Sequence, residues 1–137
     1  MSEGRPGPAG AGGRLAERYL RAVAAQDWAS VEECLTPSVV RDGPFGDDVE
    51  GLEDYMGFLR RTMPSLPGYR MDIDRVTEMG DGRVLVELRE TVEIDGAPVV
   101  TPECLVFVLA DDRVARVSIY IRRAPVRPPG RAVGFAP

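Results

Sequence analysis

Four side chains in this sequence have the type and setting for acid–base chemistry: Asp42, Tyr19, Glu90 and Glu103. Asp42 follows Val39-Val40 and precedes Gly43-Pro44-Phe45. A carboxylate at the end of a short buried strand is partly desolvated. Desolvation raises its pKa and makes it a better base. Tyr19 falls on the buried stripe of a helix, and a phenol in apolar surroundings needs a hydrogen-bond partner, which a substrate oxygen can be. Glu90 interrupts a strand face otherwise made of Val86, Leu88, Val92 and Ile94. Glu103 shares a face with Leu105, Phe107 and Leu109. A carboxylate on such a face is paired or carries a raised pKa.

What the composition lacks narrows the chemistry. The 137 residues contain no His, which removes His triads, His zinc sites and His general bases. Proton transfer is left to Asp, Glu, Tyr, Cys or Arg. Cys34 and Cys104 have neither metal nor redox spacing, and Cys104 has no basic neighbour, so both read as free thiols. Asp47, Asp48 and Glu50 read as a solvated acidic loop. Gly80-Asp81-Gly82 is a hairpin turn with no helix after it, not a nucleotide loop. No cofactor is expected. The net charge of −5 argues against nucleic acid as a partner. With no apolar run of about 18 residues and no leader pattern, a cytoplasmic protein without a membrane partner is expected.

The elements that must position these groups follow from the periodicity. Residues 1–13 and the Pro-rich residues 124–137 read as tails, leaving one domain over 14–123. A helix is predicted over Arg14–Gln26, from the spacing of Leu15, Tyr19, Ala22, Val23 and Gln26. Asp27 caps a second helix that buries Trp28, Val31 and Leu35 and ends at Thr36-Pro37. Val39-Val40 is a short strand, residues 43–50 a loop, and Leu52, Tyr55, Met56, Leu59 and Met63 mark a third helix. Tyr55 reads as core. The period then drops to two, giving four long strands in a meander with turns at Gly80–Gly82, Asp95-Gly96 and Asp111-Asp112. Helices first and strands after define an α+β fold with helices on one sheet face.

The segments Arg18–Asp27, Leu35–Pro37, Val39–Pro44 and Gly51-Leu52, with the closing hairpin Val106–Val114, resemble nuclear-transport-factor-2-like proteins, the group that includes SnoaL-like and ketosteroid-isomerase-like members. The resemblance implies a cone: three N-terminal helices on a strongly curved, mostly antiparallel sheet around one pocket. It implies that Asp42 is the base that abstracts a proton beside a carbonyl, and that Tyr19 donates to the oxyanion. Glu90 falls near a catalytic Asp of limonene-epoxide-hydrolase-like members, although Leu88 and Ile119 stand where the Arg and second Asp of that set would be. The isomerases have an Asp soon after the place of Thr101-Pro102; here Glu103 and Cys104 follow instead.

The expected function is a cofactor-independent isomerase or cyclase acting on a small apolar carbonyl compound such as a polyketide or polycyclic intermediate. An epoxide hydrolase, an epoxide-opening cyclase and a non-catalytic binding module are the alternatives. A hollow cone with two or more carboxylates facing in favours an enzyme, and a filled one favours a structural role. The family's sheet face, with Ser118 and Tyr120 on the last strand, implies a homodimer.

Overall fold

A computed structural model of the chain describes residues 10–122. Most of both expected tails, including Phe135, lies outside the described residues. Helix α1 (Ala11–Ala25) starts three residues before the expected position. Its early start has a partner in the sheet: the Glu78 carboxylate accepts the Gly13 N–H at 2.9 Å, satisfying one donor of the helix's first turn. Ala16, Tyr19, Leu20, Ala22 and Val23 form its buried face. Gln26, expected on that face, is instead exposed and ends the helix in the left-handed conformation, φ 56°.

Helix α2 (Trp28–Glu33) is capped by Asp27, whose carboxylate accepts from the Ser30 N–H at 3.3 Å and the Ser30 hydroxyl at 2.7 Å. Val31 is buried and Trp28 half-buried. The helix stops at Glu33, earlier than expected, because strand β1 (Leu35–Asp42) has already begun. The Val114 N–H donates to the Cys34 carbonyl at 2.7 Å, and Leu35 pairs with Val114. Extended backbone at Thr36 suits the residue before a proline. The loop after β1 contains a two-residue strand, β2 (Val49–Glu50), and leads to α3 (Leu52–Thr62), which closes with a 3₁₀ turn, Met63–Ser65.

The meander follows as β3 (Arg70–Gly80), β4 (Arg83–Ile94), β5 (Ala97–Ala110) and β6 (Arg113–Ile121). At the β4–β5 turn, Asp95 and Gly96 take φ of 54° and 80°, the pair of positive values that a two-residue hairpin needs. The six strands form one sheet in the order β2-β1-β6-β5-β4-β3. Every pairing is antiparallel except β1 with β6. That parallel pair is a long-range contact no local pattern announces. The architecture is the α+β cone: three helices against one face of a curved, mostly antiparallel sheet.

Register decides which side chains face the helices. Val84, Val86 and Leu88 on β4 lie opposite Phe107, Leu105 and Glu103 on β5. On β6, Val117, Ile119 and Ile121 follow on the same face. Phe107, Val86 and Val114 have no exposed surface, and α1 and α3 close over this layer with Tyr19, Tyr55, Met56 and Leu59. Toward the β4–β5 tip the hairpin outruns the helices, so Ile94 keeps the inward parity but is exposed.

Candidate functional site

The helices do not fill the cone. A cavity of about 240 Å³ lies between them and the sheet. Its walls are mostly apolar, with Leu20, Phe58, Leu59, Leu105, Val117 and Ile119 prominent. Its polar lining comes from Tyr19, Tyr55, Tyr69, Arg41, Asp47, Thr62, Glu90 and Glu103. Three of the four residues singled out in the sequence therefore meet here, and the cone is hollow with two neighbouring carboxyl groups facing in.

Glu90 and Glu103 arrive from adjacent strands. Inward parity on β4 runs Val84, Val86, Leu88, Glu90; on β5 it runs Phe107, Leu105, Glu103. Burial, followed by a hydrogen bond to Glu90 and that group's negative charge, pushes the Glu103 carboxyl up to about 9. At neutral pH Glu103 keeps its proton and donates it toward Glu90. Two carboxyl groups close together in a poorly solvated site cannot both ionise. Glu90 also accepts the Tyr69 hydroxyl at 2.6 Å. Tyr69, just ahead of β3, is held as a phenol: burial first, then the Glu90 charge, raises its pKa far above the ordinary tyrosine range.

Tyr19 and Tyr55 make a second polar pair. Their hydroxyls are 2.6 Å apart, and both residues are almost fully buried. Burial pushes Tyr55 up to about 12 and Tyr19 well above its usual value. Only one of the two O–H groups donates within the pair, which leaves the other proton for a third acceptor in the cavity. The Tyr19 ring stands edge-on to Phe107, with centroids 5.8 Å apart at 75°.

Asp42 does not join them. Because Val39 points into the core, the alternation of β1 turns Arg41 inward and Asp42 outward. The Asp42 carboxylate lies on the outer face of the sheet. There it accepts from Arg116 Nε at 2.7 Å, Arg116 Nη2 at 3.0 Å and the Ser118 hydroxyl at 2.7 Å. These hydrogen bonds, that from Arg116 foremost, lower its pKa, opposite to the expected rise. The expectation of a pocket-facing base at Asp42 is thus corrected by strand parity and by its partners on β6. Asp42→Asn is expected to leave ligand binding in the cavity unchanged. It should also lower the melting temperature modestly at pH 7. Because the folded-state pKa is depressed, that difference should vanish as the pH falls through it. Thermal melts of both proteins between pH 2 and 7 check this.

Three lining residues carried no recognised signal in the sequence. Tyr55 looks like a core residue at helical spacing, and Tyr69 looks like one more alternating apolar position. Arg41 is a cation beside two valines and an acid, indistinguishable from a surface residue until the parity of β1 is known. Asp47, expected in a solvated loop, instead accepts Arg41 Nη1 at its carboxylate (3.0 Å) and its carbonyl (2.8 Å). Burial raises its pKa, but the hydrogen bonds from Arg41 and the Phe45 N–H outweigh it and the net shift is downward. Among the described residues no three His, Cys, Asp or Glu side chains converge as a metal-binding group. No described helix is long and apolar enough to cross a membrane.

With fold and cavity defined, comparison places the chain. The SnoaL-like domain family matches residues 16–117, most of the described domain, and the protein belongs to that family. Solved structures share the fold. An epoxide hydrolase of M. tuberculosis, of the LEH-like type, is 25% identical, with 82% of this chain and 83% of that one covered and a TM-score of 0.72. A Kribbella flavida protein provisionally described as a ketosteroid isomerase is 21% identical, over 88% of this chain and 84% of that one, with a TM-score of 0.72. A Shewanella putrefaciens protein provisionally described as a SnoaL-like polyketide cyclase is 17% identical, over 83% and 91%, with a TM-score of 0.72. A search of curated proteins finds no match.

Proposed function

We propose that this protein is a cofactor-independent acid–base enzyme, an isomerase or cyclase acting on a small, mostly apolar carbonyl compound such as a polyketide or polycyclic intermediate. The observation that carries this reading is the Glu90–Glu103 pair in an apolar cavity, one carboxyl accepting and the other holding a proton at neutral pH. A carboxyl that holds its proton beside a second carboxyl that accepts from it offers a proton donor and an acceptor in one place.

In this mechanism the substrate carbonyl accepts the free proton of the Tyr19–Tyr55 pair. Glu90 takes the proton from the carbon beside the carbonyl, and its electron pair moves onto the oxygen as the C–H bond breaks. Glu103 then gives its proton to the enolate, on carbon for an isomerisation or on oxygen for an enol. Glu90 passes its proton back to Glu103, and the pair is restored. Tyr69, hydrogen-bonded to Glu90, fixes which oxygen of that carboxylate faces the substrate. The base expected at Asp42 is, in this proposal, Glu90. The test is proton exchange in deuterated water at carbon next to a carbonyl, followed by NMR over a panel of apolar ketones in the wild type and the Glu103→Gln variant.

The epoxide-hydrolase reading stands second, favoured by the same pair and by the similarity to the LEH-like epoxide hydrolase. There Glu103 would donate to the epoxide oxygen as its C–O bond breaks, while Glu90 takes a proton from the attacking water. Product analysis on an epoxide panel separates the two. If neither panel, carboxylic-acid members included, is turned over while apolar compounds bind, the chain is a binding module.

We further propose that two copies pair through the outer face of the sheet. Val40, Leu85, Cys104, Val106 and Ser118 are only half-buried there, and Tyr120 is 60% exposed. Apolar side chains left half-buried or exposed together on one sheet face suit contact with a second copy. Light scattering is expected to give twice the 14.9 kDa chain mass. A monomer at all micromolar concentrations contradicts it.

A further inference from the structure

Arg41 is the one cation among the described residues lining the cavity, and neither chemistry above uses it. It comes from β1, next to the core residue Val39, and only 12% of its side chain is exposed. Burying a guanidinium is costly unless its donors are used. One edge is accounted for: Nη1 donates to the carboxylate and carbonyl of Asp47. One face is accounted for, since the guanidinium carbon lies 4.4 Å from the centroid of the Phe58 ring. Among the described residues Nε and Nη2 donate to nothing. These two atoms form the fork that accepts a planar pair of oxygens side by side.

The charges around the fork determine which oxygens suit it. Asp47 is the guanidinium's ion-pair partner, but it sits in the loop between β1 and β2 and is 38% exposed, so water screens much of its charge. Glu103 is protonated at neutral pH. Glu90 is turned to the Tyr69 hydroxyl and to Glu103. The Arg41 charge nonetheless reaches Tyr19, Tyr55 and Glu103, so it lies within electrostatic range of both polar pairs. The cavity therefore offers a mostly apolar chamber, a proton-transfer pair and one half-used guanidinium.

We propose that Arg41 anchors a carboxylate of the ligand, so that the natural substrate is an apolar carboxylic acid rather than a neutral hydrocarbon-like ketone. This deepens the acid–base reading and rests on it for the word substrate, while the anchoring itself is a binding property. The carboxylate takes the Nε and Nη2 donors, the apolar body lies along Leu59, Leu105 and Ile119, and the reacting carbonyl is held where Glu90 and Glu103 reach it. The orientation is fixed by charge at one point and by shape along the rest.

The experiment is calorimetric titration of the full chain at pH 7 with cinnamate and with its neutral amide, cinnamamide. The acid is expected to bind at least roughly ten-fold more tightly, the lower end of what a charge-assisted hydrogen-bonded pair contributes. Arg41→Met is expected to abolish that preference. Should Arg41→Met fail to fold, Arg41→Lys keeps the charge and loses the fork, and is expected to reduce the preference by more than about three-fold. Equal affinity for acid and amide, no binding of either, or an unchanged preference in the folded Arg41 variants would overturn the proposal. Glu103→Gln should keep the acid preference. A protein that prefers the acid yet turns over nothing retains the anchor and loses the catalytic reading, so the two failures are distinguishable.

Discussion

Glu103→Gln is expected to lower turnover by about 100-fold or more, the usual worth of a positioned proton donor. Gln is nearly isosteric and still donates through its amide, so it preserves the contact with Glu90 and removes only the transferable proton. The fall should appear mainly in kcat, with KM changed little, because the group acts on the reacting atoms. The same substitution has a stability signature of definite sign. The unfolded Glu103 ionises near the ordinary glutamate value of 4.5, whereas the folded group does so at about 9. Between those values the unfolded state loses the proton and the folded state keeps it, so this group's contribution to stability falls as the pH rises through that window. Gln does not titrate. The variant should therefore gain melting temperature relative to the wild type as the pH is raised from 5 to 9, while losing activity. A merely structural role for Glu103 gives the opposite pairing: lost stability with turnover intact.

The second large effect is on folding. Phe107 is fully buried in the middle of β5, opposite Val84 and Val117, with its ring against Tyr19. Replacing it by Ala removes the ring from the layer on which α1 rests. Such truncations typically cost about 3–5 kcal/mol, against a total stability on the order of 5–15 kcal/mol for a domain. Phe107→Ala is expected to shift the urea midpoint down steeply or to leave the chain unfolded at room temperature. Phe107→Leu, which keeps most of the volume, should cost far less. A loss below about 1 kcal/mol in the Ala variant would mean that this layer is not the core.

Much of the fold is legible in the sequence, for physical reasons. α1, α2 and α3 announce themselves by apolar spacing at 3.6, and β3 to β6 by alternation bounded with Asp-Gly and Asp-Asp turns. Glu90 and Glu103 were found because each breaks an otherwise apolar strand face, and local alternation is enough to say that such a group points inward. Asp42 and Arg41 show where that reasoning stops. In Val39-Val40-Arg41-Asp42 two successive valines hide the parity, since a valine suits the core at either position. The choice is made by the parallel pairing of β1 with β6, residues more than seventy positions apart, which seats Asp42 beside Ser118 and Arg116. A one-residue change of parity moves every side chain to the other face. It moved the expected base out of the cavity and an unexpected cation into it. Tyr55 and Tyr69 were invisible for another reason: a tyrosine at an apolar position carries no mark of whether its hydroxyl finds solvent, a neighbour or a ligand.

The acid–base reading requires a proton on Glu103 beside Glu90 at neutral pH. Carbon-13 NMR of the glutamate side-chain carboxyl groups, followed from pH 3 to pH 11, tests it without any substrate. One resonance is expected to inflect at about 9 and to be absent from the Glu103→Gln spectrum. A spectrum in which every glutamate, Glu103 included, titrates at about 5 or below, as unperturbed groups do, would contradict it.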